Sequence, residues 1–451
     1  MATATTSPAF RSLVKGTIHA GIEEIAGRQT MVVRSVSALR RGALSLEDGV
    51  TIQDGANAAL SLRIPLVLVV ASSGADVSEG IESLHGWGQA ARAVAACSGM
   101  VPIIAVVTGP AISGPALMLG IADIVVMTSE AFAFVSGPAM VEEFTGVRLG
   151  LRQLGGTAMH ARSSGLCAIE AETEADAMAH VENVLNLLPS HTDEVAPLGP
   201  LDDRVDREVP ELREVIPSRT TSSYDVRHVA TALSDDRDVT ELWPRWSPQL
   251  VTAIGRIGGR SVGFVANQPQ ALAGTLDIAA SQKGARFVRF CDAFNLPLVT
   301  LVDTPGFLPG KDLEWRGMIR HGAELAFAYA EATVPRVCVI LRKAFGGAYI
   351  VMDSRGLGND LCFAWPCAEI AVMGAQGAVQ ILHRNAQPEQ RAELQVEYTD
   401  RFLTPWEAAE RGYVDEVIDP ADTRSVVARA LEALESSREH LPGRKHTIGP
   451  M

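Results

Sequence analysis

The segment 296–302 reads LPLVTLV, a run of apolar residues that begins next to a proline and leads to Gly306. A short apolar run of this kind, closed by a glycine, is typical of a buried strand in a parallel sheet. The segment 334–340 reads VPRVCVI and leads to Gly346 and Gly347. Proline at the start of a strand removes no hydrogen bond from the sheet. The back half of the chain therefore predicts two buried strands, each followed by a glycine turn.

The front half of the chain repeats this pattern. The segment 64–70 reads IPLVLVV and leads to Gly74, and 101–107 reads VPIIAVV and leads to Gly114. The first run of each half spans 9 residues from its proline to its glycine, and the second run spans 12. Matched spacings in the same order indicate an internal repeat of large period. The sequence thus predicts two copies of one domain, and we expect the function to lie in what the two copies build together.

Helical patterns lie between the predicted strands. Apolar residues recur at helical spacing over 79–96, 277–294 and 312–332, and a last helix is predicted over 422–437. Strands that alternate with helices indicate βαβ units and an α/β fold. The stretch 188–225 holds five prolines and a mixed run of charges, so it predicts an exposed linker. The expected domains are residues 1–215 and 225–451.

Composition narrows the class of protein. The net charge of −14 argues against a nucleic acid or an anionic membrane as the main partner. The six cysteines form no C-x-x-C pair, which argues against a zinc ribbon, and most lie in apolar runs typical of core positions. Residues 1–10 contain no basic segment followed by an apolar one, and no run reaches 18 apolar residues. We expect a soluble, cytoplasmic protein with no membrane partner.

The glycine turns are the candidate sites of chemistry. A strand–glycine–helix junction leaves backbone N–H groups unpaired at a helix start, and glycine lets a ligand approach the backbone closely. Two such amides that point at one spot form an oxyanion hole, which can stabilise a thioester enolate. The alternative is that these glycines only turn the chain. The duplicated spacing favours the functional interpretation.

The back half also carries a resemblance to a known family. Its motifs are GFVANQP (263–269), AGTLD (273–277), FVRFCDAF (287–294), VDTPGFLPG (302–310), RKAFGGAY (342–349), AWP (364–366), AVMGAQGA (371–378) and AERGYVD (409–415). From 258 to 434 the chain resembles the carboxyltransferase β subunit of biotin-dependent acyl-CoA carboxylases, of the propionyl-CoA and acetyl-CoA type. The resemblance implies two tandem crotonase-like (ClpP/crotonase) domains, with the acyl-CoA side at the front and the biotin side at the back. It also implies a homohexamer whose active sites lie between subunits.

The same resemblance implies a mechanism. Carboxybiotin releases CO2, the biotin ureido anion takes the α proton of an acyl-CoA, and the resulting enolate attacks CO2. Gly347 and Ala348 match the donors to the ureido oxygen, and Ser113 and Gly114 match the donors to the thioester oxygen. The expected substrate-binding residues are Gly74, Gly306, Gly346, Tyr349 and Ile350.

Three further sets of residues carry open interpretations. Ile350 lies where some family members have an aspartate, so we expect a longer or unusual acyl chain to be tolerated. Arg342 and Lys343, and also Arg40 and Arg41, are candidates to bind CoA phosphates. Either pair may equally be a solvated surface or, for the first, the edge of the core. His160 is a candidate pocket residue, with a hydrogen-bonded structural histidine as the alternative.

The front half departs from the family pattern. The usual chain begins with an additional segment that helps to cover the CoA. The usual aspartate-serine-glycine-glycine-alanine-arginine reads ASSGAD at 71–76, and the usual alanine-glycine-glycine-alanine reads ISGP at 112–115. Pro115 has no N–H and cannot donate. These departures motivate one alternative, a weakened paralogue that serves as a structural subunit.

The implied partner is a biotin carboxylase and biotin carboxyl carrier α subunit. The chain has no Met-Lys-Met biotinylation motif and no ATP-grasp signature. We therefore expect biotin to arrive on another chain. A second alternative is a biotin-linked decarboxylase or transcarboxylase, which runs the same chemistry in the opposite direction.

Overall fold

In each half of the chain, the two runs that lead to glycine are adjacent parallel strands. The computed structural model describes residues 16–36, 40–217, 219, 222–443 and 445–450. The chain divides into two compact units, Met1–Pro197 and Leu198–Met451. Each unit contains one sheet built around the predicted pair of strands.

The sheet of the first unit has seven strands in the described residues. They are β1 (Ile18–Ile25), β2 (Arg28–Ser35), β3 (Leu66–Ser72), β4 (Ile103–Ile112), β5 (Ile124–Thr128), β6 (Phe132–Phe134) and β7 (Ile169–Ala171). The order is β1-β2-β3-β4-β5-β7, and β6 pairs with β4 beyond the point where β5 ends. The pair β1–β2 is antiparallel, and the pairs from β2 onward are parallel.

The helices of the first unit cover this sheet. They are α1 (Leu46–Leu62), α2 (Ile81–Cys97), α3 (Gly114–Leu119), α4 (Pro138–Thr145), α5 (Leu151–Gly155), α6 (Thr157–Met159) and α7 (Glu174–Asn186). Helix α1 begins at a capping box, in which Ser45 and Asp48 each bind the backbone N–H of the other. Helices α1 and α2 pack together, and their buried residues join those of β3 and β4 in one core.

The second unit has an eight-stranded sheet in the described residues. Its strands are β8 (Val239–Leu242), β9 (Leu250–Ile257), β10 (Arg260–Asn267), β11 (Leu298–Thr304), β12 (Arg336–Phe345), β13 (Leu361–Ala364), β14 (Glu369–Ala371) and β15 (Glu416–Val417). The order is β15-β13-β12-β11-β10-β9-β8, and β14 pairs with β12. The pairs β8–β9 and β9–β10 are antiparallel, and the others are parallel.

The helices of the second unit follow the same plan. They are α8 (Arg227–Leu233), α9 (Ile278–Ala293), α10 (Lys311–Trp315), α11 (Met318–Glu331), α12 (Gly346–Val351), α13 (Ala375–Leu382), α14 (Pro388–Tyr398), α15 (Pro405–Glu410) and α16 (Thr423–Ala433). Asp277 caps α9 through its side chain, as expected for a helix predicted over 277–294. Helices α9 and α11 pack against each other.

Matching hydrogen bonds show the internal repeat. The N–H of Leu44 donates to the Gly74 carbonyl oxygen at 2.8 Å, and the N–H of Leu276 donates to the Gly306 carbonyl oxygen at 3.2 Å. The pairing of β3 with β4 shifts register near the end of β3, and the pairing of β11 with β12 shifts near the end of β11. The repeat predicted from the glycine spacings is therefore present in the structure.

The linker prediction is wrong in part. Residues 198–215 belong to the second unit, so the division falls earlier than the predicted bound at 215. Val209 and Leu212 are buried in the core of that unit, because the turn Pro210–Arg213 packs against the turn Pro420–Asp422. The residues 218, 220 and 221 of the predicted linker lie outside the described residues, as does the segment 1–10.

Other expectations are confirmed with small differences. The predicted helix 312–332 is two helices, α10 and α11, because Gly317 between them adopts a φ of +93°. Five of the six cysteines are buried, as predicted, and Cys367 is exposed. Among the described residues, no helix is both long and apolar enough to cross a membrane.

Candidate active site

The turn after β12 presents the first set of backbone donors. Strand β12 ends at Phe345, Gly346 adopts a φ of +60°, and α12 begins there. Gly347 and Ala348 lie in the first turn of α12, so their N–H groups have no acceptor inside the helix. A Cβ atom built on Gly347 would meet Phe307 Cε2 at 3.7 Å, an ordinary contact. The backbone at Gly347 is therefore open to a ligand.

This turn opens into a cavity of about 500 Å³ within the second unit. Its lining residues are Gly346, Gly347, Tyr349, Ile350, Ile370, Ala371, Val372, Tyr398, Phe402, Glu407, Ala408, Arg411 and Tyr413. Four residues of the predicted site, Gly346, Gly347, Tyr349 and Ile350, thus come together at one end. Ala348 is fully buried, so only its backbone is a candidate for ligand contact.

A buried ion pair supports the strands beside this turn. The Arg342 Nε–H donates to Asp303 Oδ2 at 3.0 Å, and the N–H of Lys343 donates to Asp303 Oδ1 at 3.1 Å. Burial raises the pKa of Asp303, and the Arg342 charge opposes that shift. Arg342 also lies over the ring of Tyr224, with 5.2 Å from guanidinium carbon to ring centroid. Arg342 is buried, which favours the core-edge alternative over a role in binding CoA phosphates.

The equivalent turn of the first unit offers fewer donors. Strand β4 ends at Ile112, Ser113 adopts φ +60° and ψ −119°, and α3 begins at Gly114. The Ser113 N–H donates to the carbonyl oxygen of Phe134 at 3.0 Å and is therefore already used. Pro115, the next residue of α3, has no N–H. Gly114 is left with an N–H that has no acceptor inside the helix.

Trp87 closes one side of Gly114. A Cβ atom on Gly114 would lie 2.6 Å from Trp87 Cδ1 and 2.7 Å from Trp87 Nε1. The Nε1–H of Trp87 is buried, and no hydrogen-bond partner for it is found among the described residues. The sequence analysis placed Trp87 only on the apolar face of a helix. A tryptophan in place of a smaller apolar residue on that face was the signal for this contact.

Gly74 lies next to the same turn. Its φ is +105°, and a Cβ atom there would be 3.4 Å from the carbonyl oxygen of Ile112 and 3.9 Å from the Ser113 Cβ. The predicted residues Gly74, Ser113 and Gly114 are thus brought together in the first unit. In the second unit, Gly306 adopts a φ of +145° and precedes Phe307, the residue that contacts Gly347.

The acidic residue at position 76 has a basic partner. Arg40 Nη1 donates to Asp76 Oδ2 at 2.8 Å and also lies 3.8 Å from Glu79 Oε1. Hydrogen bonds from Ser78 and from Arg40 lower the pKa of Asp76. Arg40 is therefore engaged within the protein, and it is a weaker candidate for a CoA phosphate than the exposed Arg41.

His160 has a partner on each ring nitrogen. Its Nε2 lies 2.8 Å from the carbonyl oxygen of Ala133, and its Nδ1 lies 2.7 Å from Ser164 Oγ. The residue is 9% exposed, and burial lowers its pKa. These contacts favour the structural alternative for His160.

Comparison with known proteins places these turns in a family. The family model described as the carboxyl transferase domain matches residues 1–448. The propionyl-CoA carboxylase beta chain of Saccharopolyspora erythraea is 43% identical over 446 residues, which are 95% of this chain and 82% of that protein. The methylmalonyl-CoA decarboxylase subunit alpha of Veillonella parvula is 41% identical over 394 residues, 87% of this chain and 77% of that protein.

A solved structure confirms the fold class. The transcarboxylase 12S structure, described as a hexamer assembly with methylmalonyl-coenzyme A and methylmalonic acid bound, aligns with a TM-score of 0.95 at 41% identity. The alignment covers 96% of this chain and 85% of that one. The fold predicted from the glycine repeat and the family predicted from the motifs of the back half are both confirmed. The chain belongs to the carboxyl transferase domain family.

Proposed function

We propose that this protein is a carboxyltransferase subunit that moves CO2 between carboxybiotin and the α-carbon of an acyl-CoA thioester. The observation that carries this proposal is the Gly347–Ala348 turn, with its unpaired N–H groups opening into a cavity of about 500 Å³. Cavities of about 300–1,000 Å³ are usual for small-molecule ligands. The relatives support the acyl-CoA class, because their names contain propionyl-CoA and methylmalonyl-CoA.

The backbone donors would act on developing negative charge. Removal of the α proton from a thioester places charge on the thioester oxygen, and a fixed N–H group stabilises that charge without reorganisation. Loss of one such donor typically costs about 2.7–4 kcal/mol in the barrier. We assign this role in the first unit to Gly114, whose N–H has no acceptor inside α3, and we assign Ser113 to shaping the turn.

The second unit would act on the biotin side. The N–H groups of Gly347 and Ala348 would donate to the ureido oxygen of biotin, which supplies the CO2. The open backbone at Gly347 supports this assignment. We propose that the biotin is carried by a partner chain of the biotin carboxyl carrier type. We also propose a homohexamer, because the transcarboxylase 12S relative is described as one.

One observation keeps the reverse reaction as a second candidate. A decarboxylase subunit and a propionyl-CoA carboxylase chain match this protein at nearly equal identity, 41% and 43%. The same donors stabilise the same enolate in either direction. The turn of the first unit also supports a third possibility, a structural subunit, because Pro115 lacks an N–H and the Ser113 N–H is already used.

The test is carboxyl transfer by the full chain co-purified with its biotin-bearing partner. We expect labelled bicarbonate to be fixed onto short acyl-CoAs, and Gly347→Val to abolish the transfer. Gly21→Val is the matched control, because a Cβ atom at Gly21 meets no atom within 4 Å. Unchanged turnover in Gly347→Val would refute the assignment of that turn. A wild-type complex that assembles but transfers no carboxyl group in either direction would favour the structural subunit.

A further inference from the structure

The cavity of the second unit extends well beyond the Gly347 turn. It begins at Gly347 and Ile350 on α12, and it passes the end of β14 at Ile370–Val372. It then reaches the rings of Tyr398 and Phe402. We call these two rings the aromatic wall. Their centroids are 5.1 Å apart, with planes inclined by 48°.

The aromatic wall lies on the far side of β14 from α12. The π-helical turn Thr399–Leu403, which carries Phe402, packs against β14, and so does helix α15. A ligand group bound at Gly347 would therefore have to cross β14 before it touched Phe402. The distance from turn to wall makes the wall a limit on ligand length.

The π-helical turn holds Phe402 in place. Leu403, the next residue, is buried at 2% exposure and anchors the turn. Arg401 lies over the Phe402 ring, 4.8 Å from guanidinium carbon to ring centroid. Phe402 itself keeps 37% of its surface exposed and faces the cavity. Turns of the π type inside helices are often found at functional sites.

The chemistry of the lining selects an uncharged aliphatic occupant. The residues between turn and wall are apolar: Ile350, Ile370, Ala371 and Val372. The two charged lining residues, Glu407 and Arg411, form an ion pair with each other. A charged ligand group would find no free counter-charge here among the described residues, and an alkyl chain would gain by leaving water.

We propose that Phe402, supported by Tyr398, determines the length of the acyl chain that this protein accepts, and that the cavity takes the chain of a linear acyl thioester longer than propionyl. This inference rests on the proposed function. The other apolar chain that could enter is the valeryl arm of biotin. The two occupants predict different kinetics, because only the acyl chain varies between thioester substrates.

The test compares propionyl-, butyryl- and hexanoyl-CoA as substrates of the co-purified complex. Phe402→Ala should raise the hexanoyl-to-propionyl ratio of kcat/KM by about fourfold for each additional methylene that finds room, and Phe402→Trp should lower it. Trp406→Ala is the matched control. Trp406 lies four residues from Phe402 and is 53% exposed, but it does not line the cavity. The control should keep the wild-type ratio.

Two results would overturn the proposal. One is a wild-type ratio in both Phe402 variants. The other is a changed KM for free biotin with all three thioesters affected alike, which would assign the cavity to the biotin arm. If the wild-type complex carboxylates no thioester, the proposed function fails. The acyl-chain inference is then judged by calorimetry, where Phe402→Ala must still tighten hexanoyl-CoA relative to propionyl-CoA.

Discussion

Ser113 and Gly346 occupy the same position in the two units and share one backbone conformation. Each follows a ten-residue strand, precedes a six-residue helix and has a φ of +60°. Glycine adopts this conformation freely, whereas for serine it costs of order 1–3 kcal/mol. The hydrogen bond from the Ser113 N–H to Phe134 helps to hold the strained turn. The first unit therefore stores strain at a point where the second unit has none.

Ser113→Gly should stabilise the protein. Relief of the left-handed backbone is offset in part by the larger entropy of glycine in the unfolded chain, so we expect a gain of about 0.5–2 kcal/mol in the free energy of unfolding. Denaturant titration measures this gain. Ser98→Gly is the control, because Ser98 has a φ of −58° and its replacement should be destabilising. Equal losses in the two variants would show that Ser113 is not strained.

The two catalytic-turn glycines should differ in their tolerance of a methyl group. Gly114→Ala would drive a Cβ to within 2.9 Å of three Trp87 atoms, and it should destabilise the protein by about 1–3 kcal/mol. Gly347→Ala would place its Cβ 3.7 Å from Phe307, so its stability should stay near that of the wild type. Thermal unfolding of both variants checks the difference. Equal melting temperatures would mean that Trp87 moves aside at no cost.

The sequence predicted the parts of this structure that depend on local pattern. The strands begin one to two residues after each proline, and α9 spans Ile278–Ala293 within a predicted 277–294. Gly346, Gly347, Tyr349 and Ile350 share a cavity because they are consecutive on one short turn.

Contacts between residues distant in the chain were not predictable in this way. The acceptor for the Ser113 N–H is Phe134, 21 residues further on, on a three-residue strand too short to carry a pattern. Phe402 reaches the cavity through a π-helical turn, and the spacing of apolar residues gives no sign of that turn. Val209 is buried in a stretch whose prolines and charges indicated an exposed linker. In each case tertiary packing decided what local composition left open.

Asp353 should make part of the stability depend on pH. It is fully buried and accepts a hydrogen bond from Arg336 Nη1 at 2.8 Å, and burial raises its pKa to about 6. The folded state then holds a proton that the unfolded state has released, so stability falls as pH rises from about 4 to about 6. The size of this effect is at most about 3 kcal/mol.

Asp353→Asn should remove that dependence, since asparagine keeps an oxygen for Arg336 and tolerates the φ of +58° found here. Urea titrations between pH 4 and 6.5 measure the slope. Asp312→Asn is the control, because its side chain is 84% exposed and should leave the slope unchanged. A slope in Asp353→Asn equal to that of the wild type would show that Arg336 keeps Asp353 ionised throughout.

Ile350 should decide the substrate preference at the near end of the cavity. It lies three residues after Gly347, lines the cavity and is 45% exposed. Ile350→Asp would place a charge against the alkyl chain of a bound thioester, and an alkyl chain that strips water from a carboxylate carries a desolvation cost. We expect kcat/KM to shift towards acetyl- and propionyl-CoA. Each methylene that loses its apolar contact should reduce the preference for longer chains by up to about fourfold.

The neutral variant Ile350→Asn separates charge from size, because it has nearly the volume of aspartate. If charge is the cause, Ile350→Asn should lie between the wild type and Ile350→Asp in its ratio of butyryl- to propionyl-CoA turnover. The measurement is kcat/KM across acetyl-, propionyl-, butyryl- and hexanoyl-CoA for the three proteins. The same profile in all three would place the acyl chain away from Ile350. Phe402 acts further from the turn, so its variants should change hexanoyl-CoA more than butyryl-CoA, whereas Ile350→Asp should already penalise butyryl-CoA.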